Sequence, residues 1–153
     1  MESDDSVKRY LQEIQIPLRL SCISTSGWPV VLSLWYMFEE GYLYCATPQN
    51  AKVVSYLKQN PRCAFEIASD QPPYCGVRGR ALATIDQERG LAILERLLER
   101  YLGSTENALA QQLLNRSETE VAILLAPKQY YTWNFTDRMA NSIPGATPKL
   151  CPG

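Results

Sequence analysis

Along the first third of the chain, apolar and polar residues alternate with the period of a β-strand. Ile16, Leu18, Leu20 and Cys22 are separated by mostly polar residues across positions 16–24. An extended segment would place them on one face. Ser26-Gly27-Trp28-Pro29 supplies a turn. Positions 30–38 are rich in β-branched and aromatic residues and predict a second strand. Glu39-Glu40-Gly41 turns the chain into a third strand, 42–47, which completes a meander with short connections. Ahead of it, residues 5–14 predict a short helix.

The period then lengthens. Val53, Val54 and Leu57 form one apolar stripe in a predicted helix over 50–59, with Asn50 as its N-cap and Asn60-Pro61 as its stop. Residues 62–68 return to alternation, with Cys63, Phe65 and Ile67 on one face. A polar, proline-containing loop over 69–73 leads to a long strand, 74–85, expected to break at Gly76 and Gly79, where backbones approach closely. Leu91, Leu94, Leu98 and Tyr101 fall at helical spacing, with Asp86 as the expected cap and Gly103 at the C′ position. Ser104 or Thr105 is expected to cap a further helix reaching about Asn115. Two last strands, 120–126 and 129–135, are separated by Pro127. The tail 136–153 is rich in Pro and Gly and reads as poorly ordered.

This order predicts an α+β fold: an antiparallel split barrel of about six or seven strands with flanking helices, in a single domain over 1–135. The 153 residues suffice for one full core. Lys plus Arg number 15 against 16 Asp plus Glu, which leaves no electrostatic footprint for nucleic acid. No apolar run reaches membrane-spanning length, and the acidic start Met1-Glu2-Ser3-Asp4-Asp5 is unlike a signal peptide. A cytoplasmic protein is expected. Cys22, Cys45, Cys63, Cys75 and Cys151 form no CxxC pair. Their odd number and scatter argue against a disulfide framework and a metal site. Cys22, Cys45 and Cys63 read as buried small hydrophobes. Histidine is absent, which removes His bases, His-activated nucleophiles and His ligation of haem. A bound cofactor would then carry any chemistry.

The segment Thr47-Pro48-Gln49-Asn50-Ala51-Lys52 joins a strand to a helix start. Unpaired N–H groups and the helix dipole favour an anion there. A first-turn lysine opposes the dipole unless an anion sits between them. Lys52 is therefore a candidate phosphate ligand, set against the plainer reading of a solvated helix face.

These pieces occur in a characteristic order. Gly27-Trp28-Pro29 is followed by Glu39-Glu40-Gly41, by Tyr42-Leu43-Tyr44-Cys45-Ala46-Thr47, by Lys52, by Asn60-Pro61-Arg62 and by Val77-Arg78-Gly79-Arg80-Ala81. The stretch 18–83 thereby resembles the pyridoxamine 5'-phosphate oxidase-like FMN-binding split-barrel family. The resemblance implies a homodimer with FMN at its interface. It implies that Leu32, Ser33, Leu34 and Trp35 face the isoalloxazine. Thr47, Asn50, Lys52 and Val53 would hold the ribityl phosphate, and Tyr74 would stand where the oxidases use a glutamine. Among the aromatic residues Tyr130, Tyr131, Trp133 and Phe135, Trp133 is the candidate for stacking on the flavin.

The oxidases place an Arg and a Lys where this chain has Val30 and Trp35, and their Arg-x-His signature has no counterpart here. Pyridoxamine phosphate is therefore not the implied substrate. The expected function is FMN-dependent electron transfer between a reduced donor and a small-molecule acceptor, with no catalytic side chain named. An F420-dependent relative and a non-catalytic flavin-binding or redox-sensing dimer are the alternatives. Arg78 and Arg80 share a strand face and read either as phosphate contacts from a neighbouring subunit or as a solvated face. Glu66 and Asp70 receive no role. Trp28, Tyr36 and Trp133 are expected to be exposed and covered by a partner.

Overall fold

A computed structural model describes residues 2–115, 119–141 and 150–153. Seven antiparallel strands form one sheet, and five helices are seen among the described residues. In chain order the elements are α1 (Glu2–Glu13), β1 (Leu18–Ile23), β2 (Pro29–Leu34), β3 (Met37–Glu39), β4 (Tyr42–Pro48), α2 (Lys52–Gln59), β5 (Arg62–Ala68), β6 (Cys75–Asp86), α3 (Gly90–Leu102), α4 (Ala108–Leu114), β7 (Glu120–Asn134) and α5 (Thr136–Met139). The sheet order is β2-β1-β5-β6-β7-β4-β3. Its edges, β2 and β3, do not pair with each other, so the hydrogen-bonded sheet stays open.

The expected alternation sets the layers. Leu18, Leu20 and Cys22 of β1, Cys63, Phe65 and Ile67 of β5 and Val77 of β6 point inward. They form the main core with Val7, Tyr10 and Leu11 of α1 and Val53, Val54 and Leu57 of α2. β4 is buried on both faces: Leu43 and Cys45 join that core, while Tyr44 packs with Met37, Ile93, Leu97 and Ala122 under α3. A strand covered on both sides loses the alternating pattern, which explains the apolar run Leu43-Tyr44-Cys45. The β3–β4 hairpin turns through Glu40 (φ 51°) and Gly41 (φ 84°). Two successive positive φ values match a primed hairpin turn, where glycine carries no Cβ penalty.

Several local expectations are corrected. The predicted 30–38 strand ends at Leu34 and resumes at Met37. Between them Tyr36 turns inward, is fully buried and donates from its hydroxyl to the Leu11 carbonyl at 2.9 Å. It is not an exposed aromatic, because a buried acceptor on α1 satisfies its hydroxyl. Asn50 does not cap α2; Ala51 occupies that position without a side-chain bond. Asp86 accepts from the Glu88 and Arg89 amides and so builds a turn ahead of α3, which starts at Gly90. Asn107, rather than Ser104 or Thr105, caps α4 by accepting from the Ala110 amide at 2.8 Å.

β6 runs unbroken through Gly76 and Gly79. β7 is likewise one strand through Pro127. That proline lies opposite Ala81 beside a register shift at Arg80/Ala81, a place where its missing N–H interrupts no ladder.

Cys22, Cys45 and Cys63 are free and buried as expected. Burial pushes the Cys22 and Cys45 thiols up and takes Cys63 to about 12. Cys75 and Cys151, however, form a disulfide with Cα atoms 5.7 Å apart. The pairing joins the start of β6 to the tail, so this part of the tail is anchored. Positions 142–149 lie outside the described residues.

Candidate functional site

The outward face of the sheet carries a cross-strand row of polar side chains. Strand pairing places Ser33 of β2 opposite Arg19 of β1, Arg19 opposite Glu66 of β5, Glu66 opposite Arg78 of β6, and Arg78 opposite Tyr131 of β7. The next row reads Val31, Ser21, Ala64, Arg80 and Gln129. Directly opposed side chains on adjacent strands are close enough to interact. Along these rows runs a groove of about 710 Å³ whose walls include Arg19, Val31, Glu66, Arg78, Arg80 and Tyr131.

Three guanidinium groups against one carboxylate give the groove a positive balance. Arg19 donates to Ser33 Oγ at 2.9 Å, and the Arg78 guanidinium lies 5.9 Å and 5.8 Å from the ring centres of Tyr131 and Trp133. These contacts limit where the two cations can go. Among the described residues, neither Arg78 nor Arg80 is ion-paired with Glu66. Val31, Leu82 and Tyr131 leave apolar surface exposed on the same face.

A second groove, about 320 Å³, lies where the ends of β2 and β4 approach under α3 and α4. Ser33, Leu34, Trp35, Ala46, Pro48, Leu94 and Glu120 are among its walls. Trp35 stacks on Tyr101 with ring centres 5.0 Å apart and planes 6° from parallel. Tyr101 in turn donates from its hydroxyl to the Ile16 carbonyl at 2.9 Å. Because Val31 lines the first groove and Ser33 the second, the outward side of β2 joins the two into one surface.

The candidate residues from the sequence fall in three places. Ser33, Leu34 and Trp35 line the smaller groove, next to the strand that carries Thr47. Leu32 packs partly against the main core. Thr47 is buried, Asn50 and Lys52 are exposed at the start of α2, and Val53 belongs to the core. Tyr74 is exposed beside the other end of the sheet, and Trp133 lies over Gly76. A Cβ on Gly76 would come within 2.8 Å of the Trp133 ring, so the glycine makes room for that indole. Within one chain, Trp133 is tied to the large groove through Arg78, whereas Asn50, Lys52 and Tyr74 line neither groove.

Arg19, Ser21 and Tyr131 escaped sequence reading as site residues. Arg19 and Ser21 were visible as intervening positions in an alternating strand, and Tyr131 as one of several aromatic residues near the end of the chain. Their convergence depends on which strands become neighbours, and that is not local information.

No helix among the described residues is long and apolar enough to cross a membrane. No group of three or more potential metal ligands is seen among the described residues.

No family model and no curated protein matches the chain. Solved structures do. A conserved hypothetical protein from Mycobacterium tuberculosis superposes with TM-score 0.74 at 16% identity, covering 95% of this chain and 91% of that one. An F420 reductase matches with TM-score 0.67 at 21% identity over 79% of this chain and 93% of the other. A Listeria innocua protein provisionally named pyridoxamine 5'-phosphate oxidase matches with TM-score 0.64 at 18% identity over 86% and 98%. At these identities the likeness is one of fold.

Proposed function

We propose that this chain is a flavin-binding redox protein of the pyridoxamine 5'-phosphate oxidase-like split-barrel kind, which holds FMN or the deazaflavin F420 between two copies of itself. The observation that carries this reading is the guanidinium-lined groove on the outward sheet face. Its volume falls in the range of small-molecule sites, and its charge and flanking rings suit an anionic aromatic ligand. The fold shared with an F420 reductase supports the same class.

The donor set fits such a ligand. α2 begins without a side-chain cap and without an acidic residue in its first turn, and Lys52 is its first residue. With the Ala51 and Val54 amides bonded to the Pro48 and Ala51 carbonyls, the Lys52 and Val53 amides and the Lys52 ammonium are the donors that would meet a phosphate. Ser33, Leu34 and Trp35 would lie along the ring system, with Leu32 behind them and Thr47, Asn50 and Val53 shaping the phosphate end. Tyr74 and Trp133 would come from the far end of the sheet, which a two-fold partner can bring to the groove. Exposed Trp28 (75%) and Val31 (69%) are surfaces a partner would cover.

A bound flavin supplies hydride or electron transfer. The protein's share is to bind it, orient it and exclude water. One observation favours binding without turnover: Trp35, at a position where the oxidases use a lysine, is occupied in stacking on Tyr101.

The test is cofactor titration followed by light scattering. FMN or F420 should bind at micromolar concentration, and the protein should have a dimeric mass. Lys52→Ala should weaken FMN roughly ten- to hundredfold, as expected for loss of one charge-assisted partner, and riboflavin much less, since riboflavin has no phosphate. Equal loss for both ligands removes Lys52 from the phosphate and turns attention to Arg78 and Arg80. No binding of FMN, FAD or F420 refutes the reading.

A further inference from the structure

We infer that the Cys75–Cys151 disulfide is a redox-operated latch, which clamps the C-terminal segment onto α1 and onto the end of the sheet that carries Tyr74 and Trp133. The clamp is seen at each of its residues. Cys75 is fully buried at the start of β6, and Cys151 is partly exposed. Leu150 packs against the main core and Pro152 is buried. Gly153 lies so close to α1 that a Cβ on it would stand 2.6 Å from Ser6 Oγ. Beside this contact is a polar groove lined by Lys128, Gln129 and Thr132 of β7.

The anchoring strand position has its own connections. Tyr74 precedes Cys75 and its carbonyl accepts from the Phe135 amide at 2.9 Å. Cys75 pairs with Asn134, and Gly76 with Trp133. The bond thus ties the tail to the two strand ends that present Tyr74 and Trp133. Once the bond is gone, residues 150–153 keep only the packing of Leu150 and Pro152 and the contact of Gly153 with Ser6 to hold them.

Opening needs a dithiol reductant. Its thiolate attacks the more accessible sulfur, Cys151 Sγ, forming a mixed disulfide while the bond to Cys75 breaks and Cys75 takes up a proton. The second thiol of the reductant then displaces Cys151. Two electrons and two protons pass to the cysteine pair, and the reductant leaves as its cyclic disulfide. The three remaining thiols are buried, and their raised pKa values keep them out of the exchange.

Three measurements test the latch. Unfolding in iodoacetamide without reductant should label three cysteines; labelling of five would show that no bond forms and overturn the inference. Under native conditions with dithiothreitol, Cys75 and Cys151 should be labelled, with Cys22, Cys45 and Cys63 protected. Hydrogen exchange over 6–14 and 74–78 should quicken at least tenfold on reduction, and Cys151→Ser should show the fast exchange with or without reductant. Unchanged exchange in both would mean that the bond clamps nothing.

An effect on cofactor affinity rests on the functional reading above. There the expectation is an FMN dissociation constant that differs at least threefold between oxidised and reduced protein. Equal affinities would overturn that coupling. Failure of FMN to bind either form would overturn the functional reading, while exchange still decides the latch.

Discussion

Gly90→Ala is expected to lower the unfolding free energy by about 3 kcal/mol, against the usual sign for glycine to alanine in a helix. Gly90 is the first residue of α3 and is buried. A Cβ there would enter the van der Waals surface of the Glu120 carbonyl group and come 2.7 Å from the Val121 amide nitrogen. Both obstacles are backbone of β7, which is held by pairing to β4 and β6. Neither can swing aside as a side chain would. Relief requires α3 to lift from the sheet, which would open the packing of Ile93 and Leu97 on Tyr44 and Met37. Alanine normally gains up to about 1 kcal/mol of helix propensity, and the clash outweighs it. Urea denaturation gives the measure, with a fall in Tm of roughly 10 °C as its thermal counterpart. Gly103→Ala is the control. Gly103 has a left-handed φ of 74° and open space around it, so only the conformational cost applies, about 1 kcal/mol. Equal losses at the two positions would show that close approach is not what Gly90 provides.

Arg100→Ala is expected to cost about 3 kcal/mol, from the loss of several charge-assisted hydrogen bonds and of the contact with two aromatic rings. The guanidinium of Arg100 on α3 donates to the carbonyls of Gln12 at 2.7 Å, Leu11 at 3.5 Å and Ile14. These lie at the C-terminal end of α1, where carbonyls lack partners within the helix and the dipole attracts a cation. The same group lies 5.2 Å from the Tyr36 ring centre and 5.6 Å from that of Tyr101. One side chain thus fixes the end of α1 to α3 across the bend between β2 and β3. Arg100→Lys should recover less than half of the loss, because an ammonium cannot reproduce the planar fork. Full recovery by lysine would show that charge alone matters. Since Tyr101 stacks on Trp35, the alanine variant should also shift tryptophan fluorescence.

Reading and structure part company at definite residues. The inward faces of β1 and β5 followed from alternation, because side-chain direction in a strand repeats every two residues. The three buried thiols at Cys22, Cys45 and Cys63 followed from their places within strands. The end of α3 at Gly103 was legible because a left-handed residue after a helix is a local requirement. Pro127 misled: proline signals a strand break, yet a register shift at Arg80/Ala81 accommodates it within one strand. Tyr36 misled as well, since its burial depends on an acceptor 25 positions away in sequence. The motif order placed Ser33, Leu34 and Trp35 on one strand. That this strand meets β4 at a groove is a product of the tertiary arrangement, since the two are far apart in the sheet order.

What the sequence determined by itself is what neighbours within a few residues decide: strand faces, the helix stripes and the lack of any histidine; the expected meander survives only as the separate β1–β2 and β3–β4 pairings at opposite edges of the sheet. What only the tertiary structure decided is which distant residues share a place. Ser33, Arg19, Glu66, Arg78 and Tyr131 come from five strands and form one row only through the order β2-β1-β5-β6-β7. Cys75 and Cys151 are 76 positions apart, and an odd scatter of cysteines does not reveal which two will meet. Periodicity reports the direction of a side chain relative to its own backbone, whereas proximity across strands is set by topology, which no local pattern encodes.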